Sequence, residues 1–135
     1  MPVSEVQKLE DQDELLLRQV TPVWVQEGRP VSRAFRPNSN DGGQLSTDRN
    51  SMLTPREAFE AYLALQLESG GVWGLTVGEY AGEGLLSYSD PLEDNPAHAV
   101  VDFSTHDEKG QRKKSKRLHA HAVRRGCLYS IDAAA

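Results

Sequence analysis

The apolar positions of this chain fall into short runs separated by polar and turn-forming segments, and their spacing predicts strands alternating with helices. Leu15-Leu16-Leu17-Arg18-Gln19-Val20, stopped by Thr21-Pro22, has the length of a buried strand. Val23-Trp24-Val25 and Val31-Ser32-Arg33-Ala34-Phe35 have strand character, but Gly28, Pro30 and Pro37 break them into irregular pieces. Residues 38–43 gather Asn, Ser, Asp and Gly, which predicts a surface loop between the first sheet segment and the first helix. That helix starts at Thr54-Pro55-Arg56-Glu57, which supplies a capping hydroxyl, a proline at the first helical position and a glutamate able to return a bond to the cap. Phe59, Leu63 and Leu67, flanked by Tyr62 and Leu65, form its apolar face, and Gly70-Gly71 ends the pattern.

Val72 to Val77 alternates with Trp73, Leu75 and Val77 on one face, as a strand covering a core does. Residues 80–97 are rich in Gly, Ser, Asp and Pro and read as a long connection, and residues 98–103 read as another strand. Thr105-x-x-Glu108 forms a second capping box, opening a basic helix over 105–125 that Gly126 terminates; Arg124 and Arg125 complement its dipole. Residues 127–131 suit a last short strand. The resulting fold class is α+β, two helices packed on a small mixed or antiparallel sheet. The order resembles the ferredoxin-like βαββαβ arrangement with an insertion before the first helix. One domain over 15–131 is expected, between an N-terminal arm (1–14) and a frayed tail (132–135).

Composition narrows the setting. Cys127 is the only cysteine, which excludes an intramolecular disulfide scaffold. The acidic, polar N-terminus does not read as a signal peptide, and no apolar run approaches the roughly 20 residues of a transmembrane helix. A cytoplasmic protein without a membrane partner is expected. Charge is unevenly distributed: eight of the 15 basic residues lie between Lys109 and Arg125, where there is no acid, leaving seven basic against 20 acidic residues elsewhere.

That basic helix is the strongest local signal. Its buried stripe is expected to be narrow, built from Leu118, Ala122 and Val123, with Arg112, Lys113, Lys114, Lys116 and Arg117 as the partner-binding candidates. Such a surface fits an acidic protein partner or nucleic acid, and equally a solvated face balancing an acidic body. No aromatic residues interleave with the charges, which argues against a single-strand stacking platform. A non-enzymatic accessory or interaction domain is therefore the leading reading, with a nucleic-acid-binding module as one alternative.

Other candidates carry weaker chemistry. His119-x-His121 would converge on a metal from a strand, but on a helix the two rings point to different faces, so no metal site is assigned. His98 and His106 read as ordinary histidines bracketing a strand, and Cys127 as a small buried hydrophobe. Asp102 and Glu79 stand at strand ends, where catalytic groups often lie. The glycine-rich stretch 78–84 lacks both the dinucleotide signature and the Walker lysine.

Arg18 in the first strand, the Ser46 segment Leu45-Ser46-Thr47, and Glu79 ending a later strand loosely resemble the residue order of ADP-ribosyltransferase-like domains. That resemblance implies an NAD-dependent enzyme as a further alternative: Arg18 and the Ser46 region would contact the dinucleotide, and Glu79 or Glu83 would orient the ribose. NAD is the cofactor under that alternative alone; the leading reading needs none. Arg18-Gln19-Val20-x-Pro22, Ser32-x-Ala34-Phe35-x-Pro37, Leu45-Ser46 and Pro96-Ala97-His98-Ala99-Val100 also look like a group of small, uncharacterised bacterial proteins, which implies a bacterial origin.

Overall fold

Alternating buried and exposed side chains assemble an antiparallel sheet in the computed structural model, which describes residues 7–38 and 42–130. The strands are β1 (Gln7–Lys8), β2 (Leu15–Gln19), β3 (Val25–Gln26), β4 (Arg29–Pro30), β5 (Gln44–Arg49), β6 (Val72–Thr76), β7 (Leu86–Ser89) and β8 (His98–Asp102). Six of them form one sheet in the order β1-β7-β8-β5-β2-β6, while β3 and β4 make a separate small hairpin. The helices among the described residues are α1 (Pro55–Ala64), α2 (Val77–Ala81) and α3 (Glu108–Arg125). The class is α+β, with helices packed on an antiparallel sheet as expected. The ferredoxin-like strand order is not adopted: β2 and β6, the expected strands on either side of α1, pair directly and antiparallel, whereas a split βαβ unit keeps them parallel with another strand between.

Register divides the side chains between two faces. Leu16, Leu45, Leu75, Ala99 and Val101 point to one face and join Phe35, Tyr80, Phe103, Leu118 and Ala122 in the main core. α3, α2 and a short 3-10 turn over Ser32–Phe35 cover this face. On the other face Leu17 and Val72 pack against Ala58 and Phe59 of α1 in a second, smaller core that includes Tyr129. β6 is buried on both sides, because α1 and α3 both lie against it; the expected one-sided alternation gives way to burial of Val72, Trp73, Gly74 and Leu75.

The start of α1 is as expected. Glu57 N–H donates to the Thr54 hydroxyl (3.1 Å), and Thr54 N–H donates to the Glu57 carboxylate (2.9 Å). Its end is not: the helix stops at Ala64, and of the expected apolar face only Phe59 is buried, while Leu63, Leu65 and Leu67 are exposed. α1 covers only the β2–β6 half of the sheet, so its later turns have no strand to pack on.

Besides β1, three elements of the sheet and its cover were not anticipated. β5 lies in the middle of the sheet, inside what reads as loop and linker; Leu45 and Thr47 alternate inward around the exposed Ser46. α2 and β7 both fall at or within the predicted long connection. Thr76-x-x-Glu79 is a second observed capping box, with Glu79 N–H to the Thr76 hydroxyl at 3.0 Å and Thr76 N–H to the Glu79 carboxylate at 2.8 Å.

Both ends need correction. Of the expected arm over 1–14, residues 1–6 lie outside the described residues, and 7–14 belong to the fold: β1 pairs with β7, Leu9 is buried, and Glu14 is held by Arg49 (2.6 Å) and Ser51 (2.8 Å). After α3 the described residues make one antiparallel bridge, Tyr129 to Val72, where a full strand was expected, and Cys127 is exposed where a buried side chain was expected; Ile131 and the tail 132–135 lie outside the described residues. Leu118 is fully buried under α3. Leu118→Ala is expected to cost about 2–5 kcal/mol, measured by urea unfolding. Lys116→Ala, on the solvent side, is expected to stay within about 0.5 kcal/mol of the parent.

Candidate functional site

α3 begins at a different cap from the predicted one. Asp107 is the N-cap, accepting Gly110 N–H at 2.8 Å, whereas Thr105 sits in the preceding turn, where His106 N–H donates to the Phe103 carbonyl. Gly126 closes the helix in a left-handed conformation (φ 94°), as expected. The buried stripe is Ser115, Leu118 and Ala122, with Val123 only partly covered. Two of these side chains are small, so α3 approaches the Ser32–Phe35 turn closely. Ser115 Oγ accepts Arg36 at 3.1 Å and donates to the Arg112 carbonyl at 2.8 Å.

The basic residues of α3 divide into two sets. The inner set is tied to α2 and the loop after it. Arg125 donates to both Glu79 oxygens (2.8 and 3.0 Å) and to the Gly74 carbonyl (2.9 Å), and His121 Nδ1 stands 3.5 Å from Glu79. Arg117 donates to the Glu83 carboxylate at 2.6 Å, and Lys114 Nζ donates to the Glu83 carbonyl. Burial pushes the Glu79 carboxyl up, but bonds from Arg125 and Thr76 and the charges of Arg125 and His121 outweigh it and hold the group below its ordinary value.

The outer set is Lys109, Lys113, Lys116 and Arg124, all exposed and, among the described residues, without a hydrogen-bond or ion-pair partner. Their spacing of four, three and eight residues places them in one stripe on the side opposite Ser115, Leu118 and Ala122. Of the five residues predicted to bind a partner, Lys113 and Lys116 lie in this stripe. Arg112 flanks it, paired with Glu108 at 3.3 Å. Lys114 and Arg117 belong to the inner set.

Of the residues of the ADP-ribosyltransferase-like resemblance, Arg18 and Ser46 are adjacent and both line the cleft beside α1, whereas Glu79 lies elsewhere. Arg18 points to the main-core side, donating to the Ala34 carbonyl (2.9 Å) and the Ser46 carbonyl (3.2 Å). The Ser46 side chain points to the opposite face of the sheet. Glu79 is in the Arg125 cluster, on α2 and not at the end of a strand.

Two concavities accompany these elements. One, of about 280 Å³, lies at the N-terminal part of α3 and is lined by Arg33, Arg36, Asn38, Gly43, Glu108 and Gln111. The other, of about 370 Å³, lies between α1 and the uncovered part of the sheet, with Leu53, Ala61, Tyr62, Leu65 and Leu92 as apolar walls over Ser46, Asp48, Asn95 and His98. Asn95 donates to Asp48 at 2.7 Å, and His98 Nδ1 lies 3.1 Å from Asp90 Oδ2. The separated histidines of His119-x-His121 fit the helix: His119 Nε2 is 2.7 Å from the Pro30 carbonyl, while His121 faces Glu79. Among the described residues no three His, Cys, Asp or Glu side chains gather as metal ligands, and no helix is long and apolar enough to cross a membrane.

Comparison of the chain with protein-family models, curated proteins and solved structures finds no match. The fold and site define an α+β domain with a charge-divided basic helix on its outer layer.

Glu79→Gln removes the charge that joins α2 to α3 and is expected to cost about 1 kcal/mol or more at neutral pH. A carboxyl with a depressed folded-state pKa contributes stability above its unfolded value, and that contribution is lost as pH falls through the folded value. Acid titration of thermal unfolding should therefore fall less steeply below pH 4.5 in the variant than in the parent.

Proposed function

We propose that this chain is a non-enzymatic interaction domain that docks an acidic protein partner on the outer stripe of α3. The division of the basic residues supports this reading: one set neutralises Glu79 and Glu83, while Lys109, Lys113, Lys116 and Arg124 stay exposed on the opposite side. A face needed only to balance an acidic body would have its charges directed at that body. The stripe is one residue wide and about 22 Å long at 1.5 Å per residue, the dimensions of an acidic helix or extended segment.

A protein partner is favoured over nucleic acid by what surrounds the stripe. Carboxylates of Glu108 and Glu83 flank the helix, and a broad array of phosphates would be forced against them. The remainder of the chain carries seven basic and 20 acidic residues, which repels a long polyanion beyond the stripe. In this reading the domain works in a bacterial cytoplasm, where an exposed thiol such as Cys127 stays reduced.

The test is fluorescence anisotropy with a labelled acidic peptide of about 20 residues and, in parallel, duplex DNA and single-stranded RNA of matched charge. Peptide binding is expected to weaken with added salt and to fall by at least about tenfold when Lys109, Lys113, Lys116 and Arg124 are all changed to Glu, with the melting temperature preserved. Unchanged peptide binding by the fourfold variant, or tighter binding of either nucleic acid than of the peptide, overturns the proposal.

A further inference from the structure

The cleft at the N-terminal part of α3 has a charge arrangement that the docking stripe does not explain. Arg36 is half-buried, and among the described residues its side chain has one hydrogen-bond partner, the neutral hydroxyl of Ser115 at 3.1 Å. Ion pairs within 4 Å include none for Arg36 among these residues. A guanidinium withdrawn from water is ordinarily matched by a carboxylate. Here its charged neighbours are mainly of its own sign. Burial, then the nearby charges of Arg33 and Arg112, press the group toward losing its proton, and Glu108 alone opposes them.

The surroundings keep this arrangement in place. Arg33 is fixed over the Trp24 ring at 5.0 Å, with one nitrogen donating to the Arg36 carbonyl (2.9 Å) and the other to the Asn38 side chain (2.6 Å). Arg112 is joined to Glu108 at 3.3 Å. Gln111 donates its amide to the Phe103 and His106 carbonyls. Among the described residues, three guanidinium charges against the one carboxylate of Glu108 leave an excess of about two positive charges around a concavity of about 280 Å³. Arg36 still has N–H donors to offer beyond the one given to Ser115.

We propose that this cleft binds a phosphate-class dianion, with Arg36 as its principal ligand and Arg33 and Arg112 supplying field. The charge matches that of phosphate or a phosphate monoester near neutral pH, and a guanidinium fork suits its oxygens. Bound there, the dianion gives Arg36 the counter-charge that its burial otherwise lacks. The site is independent of the outer stripe: it opens beside Arg33, Arg36 and Asn38, whereas Lys113, Lys116 and Arg124 do not line it.

The experiment is an isothermal and NMR titration of the full chain with inorganic phosphate, repeated with adenosine monophosphate to separate a free ion from an esterified one, with chloride as control. Saturable one-site binding is expected, with the largest shifts at Arg33, Arg36 and Gln111. Arg36→Gln, which keeps a donor for Ser115, should weaken it at least about tenfold. The fourfold stripe variant should retain affinity within about threefold, which separates this site from the docking face. If Arg36→Gln does not fold, Arg33→Gln and the rise in melting temperature of the parent with added phosphate carry the test. Non-saturable binding, no rise in melting temperature, or equal losses in the arginine and stripe variants overturn the proposal. A preference for the ester over the free ion by more than tenfold assigns the site to phosphorylated ligands, and the reverse to the free ion; both support it.

Discussion

α3 is capped at both ends, but the sequence between its caps does little to stabilise it. Lys109 and Lys113, Lys113 and Lys116, and Arg112 and Lys116 are like charges three or four residues apart, each pair unfavourable in an isolated helix. Its contact with the core is confined to Ser115, Leu118 and Ala122. The helix therefore depends on the carboxylates of Glu79 and Glu83, which meet Arg125 and Arg117 along its inner flank. Glu79 does two things at once: it completes the capping box that makes the five-residue α2 hold together, and it binds α3 to that cap. Exposed ion pairs contribute little singly, but this one is partly enclosed, multiply bonded and coupled to a helix cap.

Anchoring the inner flank in this way has a consequence for the outer one. Once Arg125, Arg117 and Lys114 fix the rotation of α3 about its axis, the 3.6-residue period leaves Lys109, Lys113, Lys116 and Arg124 directed at solvent. The stripe is thus presented by a rigid element, which lowers the ordering cost of a partner that reads it. The short helix α2 and the exposed stripe are two sides of one electrostatic arrangement.

Much of this was legible from local chemistry. The Thr54 cap and the Gly126 stop rest on contacts within a few residues, the Leu15–Gln19 and His98–Asp102 strands announce themselves by local apolar runs, and each is present. β5 was missed because Asp48 and Arg49 resemble surface positions; Asp48 finds Asn95 and Arg49 finds Glu14, partners 47 and 35 residues away. α2 carried the same Thr-x-x-Glu signal as α1, at Thr76 and Glu79, but its glycine-rich sequence read as loop. The division of the basic helix was invisible for a similar reason: no spacing rule within 105–125 reveals that Glu79 and Glu83 pack against it.

Arg18 shows how a residue that invites a functional reading acquires a different task from its surroundings. On β2 it reaches the Ala34 carbonyl on one side and the Ser46 carbonyl on the other, joining the first strand to the Ser32–Phe35 turn and to β5. The turn so held carries Arg33 and leads directly into Arg36, and it packs on α3 through Phe35 and the His119 ring, 6.2 Å apart. The position of the cleft arginines is therefore set from beneath by Arg18 and from above by Ser115 of α3. This half-buried arginine gives one donor to the irregular backbone of the turn and another to a carbonyl of β5. It places the turn, and the turn places the charges.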